Sequence, residues 1–498
     1  MPAPDTLDAA IRRAASVSPD APALFEEEQS LSYGELEARV ASLSAHVAAA
    51  GIGPGRRFGI LSGNSPLSVS FLFAALRAGA VAVPLNHTLS AEDLALEAAD
   101  CGLWALWAEP ALEKKAAVIR DRVRALRVEA PSGPVRSASL PVVRPEEAAV
   151  ILYTSGSTGR PLGVTLSHRN LLENARSAGF FLGLKEEDRV CLVLPLYYIY
   201  GLSVLLSHFI CGASVILENR FSYPQVVLDE MEARAATGFS GVPSHYAILL
   251  DQTDFVSRKL PSLRYFTQAG DAMPPRLTRR LVEAFPSKKL FLMYGQTEAS
   301  PRLSYLAPER AAAKPASVGK PVPGVTIRIA GDDGEDRPPG IEGEILAKGA
   351  GVMLGYWNRP EETAAVLCDG WLKTGDIGRR DADGDLFITG RKKNMMKTGG
   401  HRFSPLEIER VASEHSLVRE CAAVPVPDEL LGERLVLYVA AADDSAEREV
   451  GDFLKKKLPS YKWPSKIVVL RDIPKNGFGK INRVQLAAYG GNLGEGSC

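Results

Sequence analysis

Short apolar runs alternate with longer amphipathic segments through most of the chain. The runs Arg57–Leu61 and Val81–Leu85 predict strands, and the pattern between them predicts a helix around Phe71–Ala78. Ser32, followed three residues later by a glutamate, predicts a capping box for another helix that ends near Gly51. Strands that alternate with helices in this way predict largely parallel sheets covered by helices on both faces.

The pattern changes over residues 317–390. Short alternating strands are separated there by turns such as Asp333-Gly334 and Asp383-Gly384, which predicts a β-rich subdomain. The acidic run Asp381–Asp385 carries its glycine at the fourth place, whereas an EF-hand loop needs glycine at the sixth. We therefore predict a hairpin turn in this run and no calcium loop.

After Arg391 the chain is expected to form a compact unit of roughly a hundred residues, which is within the size range of a domain. Its predicted elements are a helix at Pro405–Ala412, strands near Ala422 and at Leu435–Ala441, a helix at Ala446–Leu458 and a strand at Lys466–Leu470. The sequence thus predicts an α/β protein with two domains. Residues 1–391 should form a large domain of two mostly parallel sheets flanked by helices plus the β-rich subdomain, and 392–498 a small α+β domain.

Composition limits the class of protein. A chain of 498 residues exceeds what one hydrophobic core usually serves. With 58 basic and 59 acidic residues, the net charge of −1 gives no support for binding to nucleic acid or to a membrane surface. Six scattered cysteines are typical of reduced thiols in a cytoplasmic protein. The apolar stretch Gly201–Leu217 contains His208 and is short for a membrane span, so we predict a core helix followed by a strand.

A loop of small residues gives the first indication of chemistry. The apolar strand Ala149–Tyr153 runs directly into Thr154, Ser155, Gly156, Ser157, Thr158 and Gly159. Glycines allow close approach of backbone to an anion, and consecutive N–H groups form an anion-binding concavity. The loop is not a Walker A motif, because no Gly-Lys-Ser or Gly-Lys-Thr follows at the required spacing. Alone, it is explained equally well as a polar surface connection.

Further motifs follow in a fixed order. They are Tyr294-Gly295-Gln296-Thr297-Glu298 after the apolar strand Leu290–Met293, Thr374-Gly375-Asp376, Gly390–Asn394 leading into Lys397–Gly400, and Pro474–Arg483. Together with the loop they resemble the adenylate-forming superfamily, which contains acyl-CoA synthetases, adenylation domains of nonribosomal peptide synthetases and beetle luciferases. The resemblance extends from about residue 20 to about residue 485 and is strongest to acid–CoA ligases.

This resemblance implies ATP-dependent activation of a carboxylic acid to an acyl adenylate, with release of pyrophosphate and transfer of the acyl group to CoA. A carboxylate is a poor electrophile, and its anhydride with AMP can be opened by a thiol. Because attack on the α-phosphate builds negative charge, catalysis depends on positioning and electrostatics. The implied cofactors are ATP, Mg²⁺ and CoA, or a phosphopantetheine carrier protein acting in trans. Alternatives are transfer to a carrier-protein thiol or an amine, a luciferase-like oxidoreductase, and a catalytically impaired acyl- or nucleotide-binding protein.

The resemblance also implies a nucleotide site. The loop Thr154–Gly159 would cover the β- and γ-phosphates, Thr297 would touch the α-phosphate, and Glu298 would hold Mg²⁺. Asp376 would bind both ribose hydroxyls, with Arg391 as a second ribose contact. The remaining residues expected to line the nucleotide and the acyl group are Gly270, Asp271, Ala272, Tyr294, Gly295 and Gln296.

The small domain carries the remaining expected catalytic groups. Lys480 lies between glycines in its motif and is expected to be the catalytic cation that reaches the carboxylate and the α-phosphate. By resemblance, Lys393 is the hinge about which the small domain swings between the two half-reactions. Lys397, Gly399 and Gly400 would line the passage for the thiol, although a plain hairpin turn also explains this glycine pair.

The chain departs from the superfamily pattern at three positions. Leu162 replaces the usual lysine of the phosphate loop, and Arg160 is a candidate substitute. Asp271 replaces a glycine beside the acyl pocket. Tyr198 occupies the place of a histidine, and amino-acid-activating relatives have an aspartate there. With Tyr197 and Tyr200 nearby, this predicts an apolar or aromatic acid that lacks an α-ammonium group.

The acyl pocket is the least determined part of the prediction. Its candidate residues are Tyr197, Tyr198, Ser244, His245 and Gln268. Lone polar residues of this kind are more often core side chains with satisfied hydrogen bonds than ligand contacts.

Overall fold

A computed structural model describes residues 5–130, 139–155, 161–398, 401–428, 432–443, 445–475 and 481–491. The helices are α1 Leu7–Val17, α2 Tyr33–Ala49, α3 Pro66–Arg77, α4 Ala91–Asp100, α5 Glu113–Val123, α6 His168–Leu182, α7 Ile199–Ile210, α8 Pro224–Ala233, α9 Pro243–Gln252, α10 Pro275–Ala284, α11 Pro360–Val366, α12 Pro405–Ala412, α13 Ala446–Lys457 and α14 Arg483–Gly491.

The first 295 residues contain thirteen strands among the described residues. They are β1 Pro22–Glu26, β2 Gln29–Ser32, β3 Arg57–Leu61, β4 Val81–Leu85, β5 Ala105–Ala108, β6 Leu126–Val128, β7 Ala148–Ser155, β8 Pro161–Ser167, β9 Arg189–Leu192, β10 Ser214–Leu217, β11 Gly238–Gly241, β12 Tyr265–Gln268 and β13 Lys289–Gly295. The later strands are β14 Arg302–Leu306, β15 Lys320–Pro321, β16 Val325–Ala330, β17 Gly343–Gly349, β18 Gly355–Tyr356, β19 Leu367–Cys368, β20 Trp371–Arg380, β21 Leu386–Arg391, β22 Met396–Thr398, β23 His401–Phe403, β24 Glu420–Asp428, β25 Gly432–Ala440 and β26 Lys466–Leu470.

Two mixed sheets form the large domain. One has the order β15-β14-β13-β12-β11-β9-β10-β1-β2 and is parallel from β13 to β1. The other has the order β18-β8-β7-β4-β3-β5-β6 and is parallel from β7 to β6. In both sheets the antiparallel pairs lie at the ends of the strand order. The predicted fold class, with two mostly parallel sheets, is confirmed.

Helix starts follow their capping residues. The capping box at Ser32 is confirmed, because its Oγ accepts from the Glu35 N–H and its own N–H donates to the Glu35 carboxylate. The helix predicted around Phe71–Ala78 begins earlier, at Pro66. Ser65 caps it by accepting from the Ser68 N–H, and proline at the first helical position needs no N–H partner. This second cap was not predicted from the sequence.

The apolar stretch Gly201–Leu217 forms most of α7 and all of β10, as predicted. Its side chains are mostly buried, and the imidazole of His208 forms hydrogen bonds with the Val204 carbonyl and the Tyr265 hydroxyl at 2.8 and 2.7 Å. Within the described ranges, we find no helix with the length and apolar character that crossing a membrane requires.

The β-rich subdomain is an antiparallel sheet of β16, β17, β20, β19 and β21. The acidic run forms the turn between β20 and β21, as predicted. Its carboxylates converge on the Lys314 ammonium, whose Nζ lies 2.6 Å from Asp383 and 2.7 Å from Asp385, and it also bonds Asp381. Desolvation lowers the pKa of Lys314, but the contacts with the three carboxylates outweigh this effect and raise it. A lysine therefore supplies the positive charge beside this turn.

The small domain is built on the sheet β23-β22-β25-β24, with β26 parallel to β25. Helices α12 and α13 pack on one side through a core that includes Ile408, Leu437 and Leu454. The short 3₁₀ turn Lys392–Asn394 connects this sheet to β21 of the subdomain. All five elements predicted for this region are present.

Candidate active site

A tyrosine, an aspartate and an arginine from three strands form one hydrogen-bonded group. Tyr294 lies near the end of β13, Asp376 in β20 and Arg391 at the end of β21. The Tyr294 hydroxyl donates to Asp376 Oδ2 at 2.7 Å, and Arg391 Nε donates to Asp376 Oδ1 at 2.8 Å. Burial, followed by the Asp376 charge, raises the pKa of Tyr294, so its hydroxyl remains a donor at neutral pH. The structure thus brings together three residues predicted from separate motifs.

Close backbone contact explains the glycine of the Tyr-Gly-Gln-Thr-Glu motif. A Cβ atom on Gly295 would lie 1.7 Å from the Pro301 carbonyl oxygen, far inside van der Waals contact. The Gln296 N–H donates to this same carbonyl at 2.9 Å. The chain then enters the 3₁₀ turn Thr297–Ala299, which places Thr297 and Glu298 next to Tyr294 in the half-buried part of the site.

Glu298 is fixed by Tyr356, which was not predicted as a site residue. The Tyr356 hydroxyl donates to Glu298 Oε1 at 2.9 Å, and the Met353 N–H donates to the Glu298 carbonyl at 2.9 Å. Tyr356 lies in β18, which pairs with Val164 in β8. Nothing in the local sequence distinguishes this tyrosine, because its role depends on pairing with a strand almost 200 residues earlier. One carboxylate oxygen remains free of this bond and suits a hard cation such as Mg²⁺.

The described start of the phosphate-loop motif, Thr154 and Ser155, lies at the end of β7 in the second sheet. Strands β7 and β8 are antiparallel, with Thr154 opposite Leu162 and Ser155 opposite Pro161. The Thr154 hydroxyl donates to the Leu162 carbonyl at 3.4 Å. The other predicted loop residues, Gly156, Ser157, Thr158 and Gly159, and the candidate substitute Arg160 lie outside the described residues.

Aromatic side chains line the start of α7. The rings of Tyr197 and Tyr198 meet edge to face at 4.6 Å, and His87 contacts Tyr197 at 5.5 Å. Asn86 Nδ2 donates to the Tyr198 hydroxyl at 3.4 Å. Tyr200 lies deeper, where its hydroxyl donates to the Thr267 carbonyl at 2.9 Å. The predicted aromatic set therefore runs from a half-buried position at Tyr198 to the interior at Tyr200.

The polar candidates of the acyl pocket differ in their surroundings. Gln268 is buried and donates to the Asp271 carbonyl at 2.7 Å, as a satisfied core side chain does. Ser244 and His245 lie half-buried in the first turn of α9, with the imidazole 4.1 Å from the Phe221 ring. Burial, and then the nearby Lys475 ammonium, lowers the pKa of His245 to about 4, so the imidazole is neutral at physiological pH.

Asp271 lies in the exposed turn Gly270–Ala272 that precedes α10. Its Oδ1 accepts from the Ala272 N–H at 2.8 Å, so the carboxylate stabilises the turn, while Gly270 adopts a φ of +89°. The negative charge of Asp271 also contributes to raising the pKa of Glu409 and of Arg483, which belong to the small domain. The replacement of glycine by Asp271 therefore places a negative charge toward the small domain.

Several contacts join the small domain to the large one. Arg276 of α10 donates to the Ser416 carbonyl at 3.0 Å and to the His415 and Val418 carbonyls at 3.4 Å. Lys475 lies near His245 and also pairs with Glu420 at 3.3 Å. Lys475 forms an antiparallel bridge with Ile481, and the predicted catalytic Lys480 lies in the undescribed segment between them.

The predicted hinge residue lies in the turn that leads from the subdomain sheet into the sheet of the small domain. Lys393 is exposed in the 3₁₀ turn Lys392–Asn394, and Lys397 lies in β22, opposite Arg402 of β23. Desolvation, followed by the Arg391 charge, lowers the pKa of Lys393. Gly399 and Gly400 lie outside the described residues.

Comparison with known proteins agrees with this architecture. Residues 11–357 match the family model "AMP-binding enzyme", and residues 407–480 match "AMP-binding enzyme C-terminal domain". A feruloyl-CoA synthase of Amycolatopsis sp is 37% identical over 480 residues, covering 94% of this chain and 96% of the relative. An indoleacetate–CoA ligase of Aromatoleum aromaticum is 33% identical over 491 residues, covering 95% and 96%. The solved O-succinylbenzoate CoA synthetase of Bacillus subtilis, in complex with ATP and magnesium, matches with a TM-score of 0.87 at 32% identity, covering 96% of this chain and 98% of that chain.

The chain belongs to the AMP-binding enzyme family, which confirms the resemblance drawn from its motifs. Within this family it is an ATP-dependent, AMP-forming acid–thiol ligase, as predicted.

Proposed function

We propose that the protein activates an aromatic carboxylic acid lacking an α-ammonium group and transfers the acyl group to CoA. The expected cofactors ATP and Mg²⁺, with CoA as the acceptor, agree with the relatives of the chain. The observation that carries the proposal is the group Tyr294, Asp376 and Arg391 adjacent to Glu298, because it provides acceptors for a ribose and a carboxylate for a cation at one edge of the sheet.

The nucleotide would be oriented by residues whose geometry is fixed before binding. Asp376 is held from both sides, so its oxygens can accept from two ribose hydroxyls without reorganisation. Glu298 would hold Mg²⁺, which would offset the charge of the phosphate oxygens. Thr297 would contact the α-phosphate, and the hairpin between Thr154 and Leu162 would present the loop to the β- and γ-phosphates.

The choice of acid rests on the surroundings of Tyr198. The rings of Tyr197 and Tyr198, which meet edge to face, favour an apolar ring over a charged amine. Burial, followed by Asp93 and Asp100, raises the pKa of the nearby Glu97 to about 8, so this carboxyl is largely protonated at pH 7. Burial of an ammonium without an ionised partner would cost several kcal/mol. The three relatives described above are also named for acids that carry an aromatic ring.

The two half-reactions would use different faces of the small domain. Lys480 would serve adenylation, whereas Lys397, Gly399 and Gly400 would serve thiol transfer. We place the boundary between 1–391 and 392–498, because β21 belongs to the subdomain sheet and β22 to the sheet of the small domain. Lys393, in the turn between these strands, would then be the hinge.

A pyrophosphate-release assay tests this function. Purified protein receives Mg-ATP with aryl, fatty or α-amino acids, and CoA thioester is measured in parallel. We expect pyrophosphate and thioester with aryl acids, and preference for a free α-amino acid would overturn the proposal. Pyrophosphate without thioester would point to a carrier-protein or amine acceptor, and oxygen uptake would point to luciferase-like chemistry. In Asp271→Gly protein we expect the same order of acids, because Asp271 caps its own turn.

A further inference from the structure

Asp100 joins two segments of the large domain that both lead to the proposed nucleotide site. It is the last residue of α4, and its side chain is 15% exposed. The Tyr153 hydroxyl of β7 donates to Asp100 Oδ2 at 2.8 Å. Arg359, which follows β18, donates from Nη2 to the other carboxylate oxygen of Asp100. Each oxygen of this carboxylate is therefore bound by a group from a different part of the chain.

The position of Asp100 is unfavourable for α4 itself. The last turn of this helix contains Glu97 and Asp100 and no basic residue, although the negative end of the helix dipole favours cations. Arg359 offsets the charge of Asp100 from outside the helix. Burial, followed by the nearby Cys101 and Asp100, raises the pKa of Tyr153, so the hydroxyl keeps the proton that it donates. The two partners, and not the helix, therefore explain an acidic residue at this position.

The contact with Tyr153 reaches the start of the phosphate loop. Tyr153 directly precedes Thr154, where the loop motif begins, and it lies opposite Gly163 in the pairing of β7 with β8. A Cβ atom on Gly163 would lie 3.3 Å from the Tyr153 ring, so the ring packs closely over the backbone of β8. Because its hydroxyl is bound to Asp100 as well, the side chain of Tyr153 is held at two points. The end of β7 beside Thr154 is thereby fixed.

The contact with Arg359 reaches the proposed magnesium ligand. The Arg359 carbonyl accepts from the Thr363 hydroxyl at 2.7 Å, and the oxygen of that hydroxyl accepts from the Tyr356 N–H at 2.9 Å. The Tyr356 hydroxyl donates in turn to Glu298 Oε1 at 2.9 Å. An unbroken series of contacts therefore runs from Asp100 through Arg359 to Glu298.

We propose that Asp100 is a positioning residue for the triphosphate end of Mg-ATP. This inference rests on the proposed function, in which the phosphate loop covers the β- and γ-phosphates and Glu298 holds Mg²⁺. Asp100 acts through its two partners, which keep the start of the loop and the Glu298 carboxylate in place before the nucleotide binds. Partners that orient metal ligands in this way typically contribute about 10–100-fold to metal affinity or activity.

Two nucleotides separate this role from a purely structural one. Mg-ATP would use the phosphate loop and Glu298, whereas AMP would use only the ribose and α-phosphate contacts. In titration calorimetry without an acid, we expect Asp100→Asn to raise the Kd for Mg-ATP by about 10-fold and to leave the Kd for AMP unchanged. Asparagine keeps the shape of the side chain and removes the charge that pairs with Arg359. Equal weakening of both nucleotides, or an unchanged Kd for Mg-ATP, would overturn the proposal.

Variants of the two partners separate their contributions. Tyr153→Phe keeps the packed ring and loses only the hydroxyl, and it should also raise the Kd for Mg-ATP relative to that for AMP. Arg359→Met should do the same and raise the Mg²⁺ concentration needed for half-maximal pyrophosphate release. Arg359→Lys should recover part of this loss because it keeps the charge. If Asp100→Asn does not fold, the ratio of the two Kd values in Tyr153→Phe decides the proposal, and an unchanged ratio overturns it.

Asp188 provides a matched control. Its side chain is 3% exposed, and it accepts from an arginine, Arg264, at 2.6 Å and from a hydroxyl, Thr237 Oγ1, at 2.7 Å. Asp188 precedes β9 at the amino ends of the parallel strands, whereas Tyr294 lies near the carboxyl end of β13. Asp188→Asn should therefore lower the unfolding temperature and leave the ratio of the two Kd values unchanged. A change of this ratio as large as that in Asp100→Asn would overturn the proposal.

The binding measurements separate this inference from the proposed function. A parent protein that binds Mg-ATP but releases no pyrophosphate with any acid would contradict the proposed function. The ratio of the Kd values for Mg-ATP and AMP would still decide the role of Asp100 in that case.

Discussion

Tyr294 donates a hydrogen bond to Asp376 at 2.7 Å across 82 residues of sequence. The bond joins the last parallel strand of the large sheet to the β-rich subdomain, so the predicted ribose ligand is held by two parts of the fold. Asp376→Asn keeps the shape of the side chain but removes its charge, and we expect the KM for ATP to rise by about 10–100-fold. Tyr294→Phe removes only one neutral donor and should raise this KM by about fivefold. An unchanged KM in Asp376→Asn, measured by pyrophosphate release at saturating acid, would contradict the ribose role.

Lys480 is expected to act on the first half-reaction. Removal of a preorganised charge at the transition state typically lowers the rate by about 10²–10³, and we expect this loss of pyrophosphate release in Lys480→Ala. The control is Lys455→Ala, which removes an exposed lysine of α13. Adenylation at the parental rate in Lys480→Ala would remove this residue from the mechanism.

Arg160 is predicted to replace part of the charge missing at Leu162. Since an arginine can bind phosphate in a bidentate manner, Arg160→Ala should raise the KM for ATP, and Leu162→Lys in the same protein should restore part of the affinity. The measurement is the KM for ATP in the parent, both single variants and the double variant. An unchanged KM in Arg160→Ala would show that Arg160 does not contact the nucleotide.

Lys393 is predicted to allow the small domain to rotate between the half-reactions. Proline fixes φ, so Lys393→Pro should spare one half-reaction and impair the other. Pyrophosphate release and thioester formation are measured separately, with Lys393→Ala as a control that keeps backbone freedom. Equal losses in both steps in Lys393→Pro would argue against a hinge at this residue.

Buried histidines predict acid sensitivity of the fold. Burial lowers the pKa of His208 to about 4, whereas an unfolded histidine titrates near 6.5. Below pH ~6.5 the unfolded chain binds a proton that the folded protein does not, so stability falls as pH drops toward 4, by up to about 3 kcal/mol for this residue. His208→Gln should reduce the fall in unfolding temperature between pH 7.5 and 5. His168 and His245 have similarly lowered pKa values of about 4, so part of the pH dependence should remain. An equal fall in parent and variant would contradict this assignment.

The elements best predicted from sequence are those with a local cause. Ser32 caps its helix through a residue three positions later, and the sheet strands are marked by apolar runs with few polar interruptions. The motif containing Tyr294 and Glu298 also follows directly on such a run, but its role was implied by the resemblance to the adenylate-forming superfamily. Each of these sequence patterns spans only a few residues. Over such a short segment, the local conformational preference is the same as the structure adopted in the fold.

The contacts that were not predicted depend on residues that lie far apart in the sequence. Tyr356 reaches Glu298 only because its short strand pairs with β8, and no periodicity marks a strand of two residues. The burial of Arg302 in β14 gave no signal either, since an arginine inside an otherwise ordinary segment is expected at the surface. This burial follows from the approach of β14 to β13, which depends on the absence of a side chain at Gly295.

Among the described residues, the hydrogen bonds from Arg276 to the small domain all go to backbone carbonyls. Carbonyls of residues 415–418 are present whatever side chains these residues carry. The docking contact therefore depends on the backbone path of residues 415–418 and does not depend on which side chains they carry. Small domains from relatives with different residues at these positions should dock on the same arginine, which makes this interface a natural place to exchange domains between enzymes of the family.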